Sequence, residues 1–98
     1  MCGIAGICAL GEKTLEHSAK STVQGMIDSL IHRGPDGGGI CMYPSVCLGH
    51  RRLSIIDLSK GTQPMTSHDG CATIVFNGEI YNFPGLKKTL QKKGARFI

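Results

Sequence analysis

Residues 32–39 read His-Arg-Gly-Pro-Asp-Gly-Gly-Gly, and no helix can run through them. Pro35 lacks a backbone N–H and clashes with a preceding helical turn. Four glycines within eight residues add a high conformational entropy cost to any regular element. This segment divides the chain and sets what lies on either side of it. Upstream, Ala19, Val23, Met26, Ile27 and Leu30 recur at helical spacing. That spacing predicts a helix over 17–32 with one apolar stripe. Ser18, Ser21, Gln24 and Asp28 fill much of its other side. Downstream, two short strands are expected, about 40–43 and 46–56, turning at Pro44–Ser45.

The remaining elements follow from the same signals. Residues 2–10, Cys-Gly-Ile-Ala-Gly-Ile-Cys-Ala-Leu, form a near-continuous apolar run that predicts a buried strand ending at Gly11. Residues 58–71, with Gly61, Pro64 and Gly70, read as a loop. Residues 72–77, Ala-Thr-Ile-Val-Phe-Asn, have the β-branched and aromatic character of a strand. Asn77-Gly78 is a turn-forming pair. Pro84 opens a second helix and Gly94 closes it. Lys87, Lys88, Lys92 and Lys93 concentrate toward its C-terminal half, which suits the helix dipole. Residues 95–98 read as the start of another strand, so a truncated fragment is expected. Strands and helices segregate instead of alternating strictly, which gives an α+β class with largely antiparallel sheets.

Composition narrows the functions. The 98 residues suffice for one small domain or part of a larger one. The net charge of +4 comes without the aromatic interleaving of a nucleic-acid surface, so no nucleic-acid partner is expected. No apolar run approaches the roughly 20 residues that span a bilayer, so no membrane partner is expected. The five cysteines, Cys2, Cys8, Cys41, Cys47 and Cys71, are odd in number and lack CxxC spacing. With no signal peptide in view, a reducing, cytoplasmic setting is expected. A metal centre built from Cys41, Cys47, His50 and His68 is the weaker alternative. No G-x-S-x-G nucleophile elbow occurs. Lys60-Gly61-Thr62 lacks the order of a phosphate loop.

The chemistry centres on Cys2. Initiator-methionine removal is expected before a small second residue. It leaves a thiol and a free α-amine on one residue. That amine has an ordinary pKa of about 7.7–8.0 and can serve as a base near neutral pH. A thiol beside a base is an activated nucleophile. The plain alternative is a small apolar Cys on a strand. Attack on an amide also needs donors for the oxyanion, which the Asn77 side chain and the Gly78 N–H can supply. A planar Arg fork such as Arg52 grips a carboxylate, and Glu79 can hold an ammonium. Taken singly, Asn77-Gly78 is also a plain turn, and Arg52 and Glu79 are also surface charges.

Five segments occur in order: Met-Cys-Gly-Ile-Ala-Gly-Ile (1–7), His-Arg-Gly-Pro-Asp-Gly-Gly-Gly (32–39), Gly-His-Arg-Arg-Leu-Ser-Ile-Ile-Asp (49–57), Gln63-Pro64-Met65 and Asn-Gly-Glu-Ile-Tyr-Asn (77–82). Together they resemble the glutaminase domain of class II glutamine amidotransferases, nearest the glutamine-hydrolysing asparagine synthetase branch. The resemblance covers 1–98 and implies an N-terminal-nucleophile αββα sandwich, incomplete in this chain. It implies that Cys2 attacks glutamine through a γ-glutamyl thioester, with Asn77 and Gly78 at the oxyanion. Arg52 is implied for the substrate carboxylate, Leu53, Ser54, Ile55 and Ile56 as pocket lining, and Glu79 for the amine. The resemblance gives the 32–39 loop a structural role only. It implies neither metal nor cofactor for this step. A C-terminal synthetase domain, absent here, would use ATP and Mg to amidate aspartate with the ammonia. A non-catalytic remnant or partner-binding module is the alternative reading.

Overall fold

The computed structural model describes residues 2–53 and 62–97. Three strands make the central sheet: β1 (Gly3–Cys8), β2 (Gly37–Met42) and β3 (Val46–Arg52). Their spatial order is β1-β3-β2, with both pairings antiparallel. The register runs from Gly3 opposite Arg51 to Cys8 opposite Val46, and from Gly37 opposite Arg52 to Met42 opposite Cys47. Pro44 and Ser45 make the expected hairpin turn, closed by the Tyr43 N–H donating to the Val46 carbonyl at 2.7 Å.

Helix α1 (Ser18–Asp28) covers one face of this sheet. Its stripe buries Ala19, Val23 and Ile27 against Cys47, flanked by half-buried Ala5, Ile7, Leu15, Ile40 and Met42. Burying a side chain the size of Val23 or Ile27 stabilises the fold by about 1.5–3 kcal/mol each. The close approach depends on Gly49. A Cβ there would lie 2.6 Å from Ile27 Cγ2 and 2.8 Å from Val23 Cγ1.

The segment 62–77 comes against the opposite face. It contains β4 (Met65–Thr66) and β5 (Thr73–Ile74), an antiparallel pair with Met65 opposite Ile74. Its turn is held by Asp69, whose carboxylate accepts from the Ser67 hydroxyl at 2.7 Å and the Cys71 N–H at 2.9 Å. The hydroxyls of Thr73 and of Tyr43, in the turn just past β2, hydrogen-bond to each other. Helix α2 (Phe83–Lys92) has Pro84 in its first turn and Gly94, at φ 98°, beyond its end. It buries none of its residues. The architecture is α+β with antiparallel sheets. Its layers run α1, three-stranded sheet, two-stranded sheet, and the sandwich is not closed.

Several boundaries differ from the sequence reading, each for a local reason. Helix α1 stops at Asp28 rather than residue 32; just past its end the Ser29 hydroxyl donates to the Met26 carbonyl at 2.6 Å. Tight turns then carry the chain to Gly34, through Leu30 N–H to Ile27 and Arg33 N–H to Leu30. Met26 is the outlier of the stripe and stays at the surface. β2 begins at Gly37 rather than 40, since the glycines continue the ladder with β3. β1 is buried on one face only; Ile4, on the face away from α1, is 48% exposed. β4 falls inside the expected loop, and β5 is much shorter than 72–77. Residues 95–97 form no strand. β3 ends at Arg52, and residues 54–56 of the expected 46–56 strand lie outside the described residues.

Gly49→Ala is expected to destabilise the chain by about 1–3 kcal/mol through overpacking against Val23 and Ile27. Urea unfolding monitored by circular dichroism checks this. An unchanged midpoint would show that α1 can move off the sheet at no cost.

Candidate functional site

Cys2 precedes β1, and the Gly3–Arg51 pairing brings it to the end of β3. The Leu53 N–H donates to Cys2 Sγ at 3.4 Å, and the Leu53 carbonyl lies 3.9 Å from the same sulfur. Arg33 Nε donates to the Cys2 carbonyl at 3.2 Å. Thiol and backbone are thus both held.

The segment carrying Arg33 is itself strapped along β3. Arg51 Nε donates to the Gly34 carbonyl at 2.8 Å. The Asp36 N–H donates to the Arg52 carbonyl at 2.9 Å, and Pro35 bridges to Arg52 in parallel fashion. This explains why the Gly-Pro-rich stretch does more than end a helix. Arg33 was not singled out from the sequence; the available signal was a charged residue inside a rigid breaker segment.

A cavity of about 220 Å³ opens at this point, lined by Cys2, Gly3, Ile4, Leu30, Arg33 and Asn77. Cys2 and Asn77 are therefore brought together, although 75 positions apart in the chain. Leu53 meets Cys2 through its backbone. Arg52 lines a neighbouring cavity of about 70 Å³ with Asp36, Gly37, Gly38, His50, Thr62 and Gln63. Gly78 and Glu79 are exposed and line neither cavity. Ser54, Ile55 and Ile56, and Met1, lie outside the described residues.

His50 is 1% exposed and sits on the face of β3 away from α1. Its Nε2 is 3.4 Å from the Phe76 carbonyl. Burial pushes its pKa below the ordinary 6.5; the Phe76 carbonyl opposes that shift and the nearby Arg52 charge adds to it. Cys47 faces α1, because strand residues an odd number apart point to opposite faces. His50 and Cys47 consequently do not converge on a metal. Among the described residues, no group of three or more His, Cys, Asp or Glu is placed to hold one. No helix among the described residues is long and apolar enough to cross a membrane.

The family model for the glutamine amidotransferase domain matches residues 1–98. The chain belongs to that family. It is 38% identical over 97 residues to asparagine synthetase (glutamine-hydrolyzing) 1 of Bacillus subtilis (strain 168), covering 99% of this chain and 15% of that protein. It is 37% identical over 91 residues to asparagine synthetase (glutamine-hydrolyzing) 2 of Oryza sativa subsp. japonica, covering 93% of this chain and 15% of that relative. Over 90 residues it is 38% identical to the Asparagus officinalis asparagine synthetase (glutamine-hydrolyzing), covering 92% and 15% respectively. The chain thus spans about a seventh of the length of these relatives.

The lowered His50 pKa carries a sign for stability. The folded chain binds fewer protons than the unfolded one between the depressed pKa and 6.5. Its contribution is full above about pH 6.5 and is lost as pH falls toward the folded-state value. Urea midpoints measured from pH 7.5 to 5 are expected to fall, and His50→Gln is expected to flatten that slope. An identical slope in the variant would remove His50 as its source.

Proposed function

We propose that this chain is the front part of a glutaminase domain, in which Cys2 hydrolyses the side-chain amide of glutamine. The observation that carries the reading is the single cavity shared by Cys2 and Asn77, with the Leu53 N–H on the thiol. Family membership supplies the substrate class: the named relatives are glutamine-hydrolysing.

Once Met1 is removed, the Cys2 α-amine takes the thiol proton and Sγ attacks the amide carbon. The tetrahedral oxyanion is met by the Asn77 side-chain amide and the Gly78 N–H. The α-ammonium then gives that proton to the amide nitrogen, and collapse breaks the C–N bond to release ammonia. The resulting γ-glutamyl thioester is then attacked by water, which the α-amine deprotonates, releasing glutamate and restoring the thiol. Arg33 keeps the nucleophile in register through the Cys2 carbonyl. Arg52 holds the α-carboxylate, Ser54, Ile55 and Ile56 complete the lining, and Glu79 assists the ammonium.

In the parent protein the ammonia passes to an ATP- and Mg-dependent synthetase domain outside this chain, which amidates aspartate in a cytoplasmic setting. One observation favours a second reading, a partner-binding module without catalysis. Helix α2 buries nothing and leaves Phe83, Leu86 and Leu90 exposed.

Intact mass spectrometry with the glutamine-like electrophile 6-diazo-5-oxo-norleucine tests the proposal. Chain lacking Met1 is expected to gain one adduct, mapped to Cys2, and Cys2→Ala is expected to gain none. Labelling spread over the exposed Cys8 and Cys71 would sink the reading. Arg52→Ala is expected to weaken saturation by the electrophile by about ten-fold or more, with the maximal rate little changed, as loss of uniform binding requires. A fall in the maximal rate alone would reassign Arg52.

A further inference from the structure

The chain around Phe76 has an unusual support. β5 ends at Ile74, so the ladder gives Phe76 no backbone partner. Its N–H donates instead to Gln63 Oε1 at 2.6 Å. Its carbonyl faces His50 Nε2 at 3.4 Å. Two side chains from different parts of the fold therefore grip the two sides of one residue. The next residue is Asn77, which lines the Cys2 cavity.

Both grips are anchored. His50 is buried on the doubly paired strand β3, where its position is fixed by the register with Ile4 and Gly39. Gln63 is pressed against β2: a Cβ on Gly39 would lie 2.3 Å from the Gln63 carbonyl and 3.2 Å from Pro64 Cδ. Only a glycine at 39 lets that loop approach so closely. His50 and Gln63 also line the same small cavity, so the two grips are neighbours.

We propose that His50 and Gln63 are positioning residues that clamp the Phe76 peptide and thereby set Asn77 opposite Cys2. This rests on the glutaminase reading, for which Asn77 is an oxyanion donor. An oxyanion donor must be held within a few tenths of an ångström, and a side-chain clamp supplies that where a ladder does not. Neither clamp residue touches substrate; both act through the backbone.

Two readouts on the full chain separate this proposal from the reading beneath it. The first is amide hydrogen exchange, which needs no activity. In His50→Ala and Gln63→Ala, exchange at Phe76 and Asn77 is expected to speed up by about five-fold or more, the size of a lost hydrogen bond. Val23 and Ile27 are expected to keep their protection, which shows that the fold survives. His50→Gln, which keeps a donor, is expected to restore slow exchange in part.

The second readout is Cys2 labelling. The maximal rate with 6-diazo-5-oxo-norleucine is expected to fall about ten-fold or more in the two alanine variants, with half-saturation unchanged. The rate with iodoacetamide, which forms no oxyanion, is expected to stay the same. Unchanged exchange at Phe76 and Asn77 in both alanine variants overturns the clamp. Faster exchange with an unchanged maximal rate overturns its role at the site. Absence of labelling in the unaltered chain, with exchange still responding, strikes the glutaminase reading instead.

Discussion

The double pairing of β3 is the constraint on which the rest of the structure depends. With β1 on one edge and β2 on the other, its backbone hydrogen bonds are committed and its register is fixed. Strand alternation then assigns its side chains to two faces with different duties. Cys47 and Gly49 meet α1 and make the core. His50 meets the segment that leads to Asn77. A slip by one residue would exchange these faces, placing an imidazole in the apolar core and a glycine where the carbonyl of Phe76 needs a donor. Core and site therefore share one specification.

The site gathers at one end of this strand. Leu53, the residue after β3, meets the Cys2 thiol. Arg51, the next to last, holds Gly34, and the carbonyl of Arg52 takes the Asp36 N–H. These bonds bring the 33–36 stretch close enough for Arg33 to reach the Cys2 carbonyl. A residue this near a chain terminus is otherwise prone to fray. Here its carbonyl and its sulfur are each tied to a separate part of the fold, which limits the orientations open to it.

The opposite face is less complete. α2 is well punctuated, with Pro84 at one end and Gly94 at the other, yet it buries no residue. Ile74, Phe76 and Ile80 are likewise exposed. Local signals make a helix from 83 to 92; they do not supply what its apolar side packs on. Most of the stability visible here therefore comes from α1 on the three-stranded sheet, and the clamp on Phe76 works without the support of a long β5.

The sequence by itself determined the elements whose causes are local. The helix stripe at 19, 23 and 27, the Pro44–Ser45 turn, and the Pro84 and Gly94 boundaries follow from periodicity and backbone preference. The ordered motifs also identified the family and pointed to Cys2 and Asn77. Tertiary structure alone decided the rest. Glycines 37–39 read as loop, but a partner strand makes them β2, because an edge that can complete a ladder overrides weak propensity. Residues 75–77 read as strand, but side chains of His50 and Gln63 occupy the backbone groups of Phe76. Arg33, His50 and Gln63 carry no periodic signature. Their importance lies in long-range hydrogen bonds, separated by 31, 26 and 13 positions, which only the folded chain brings within reach.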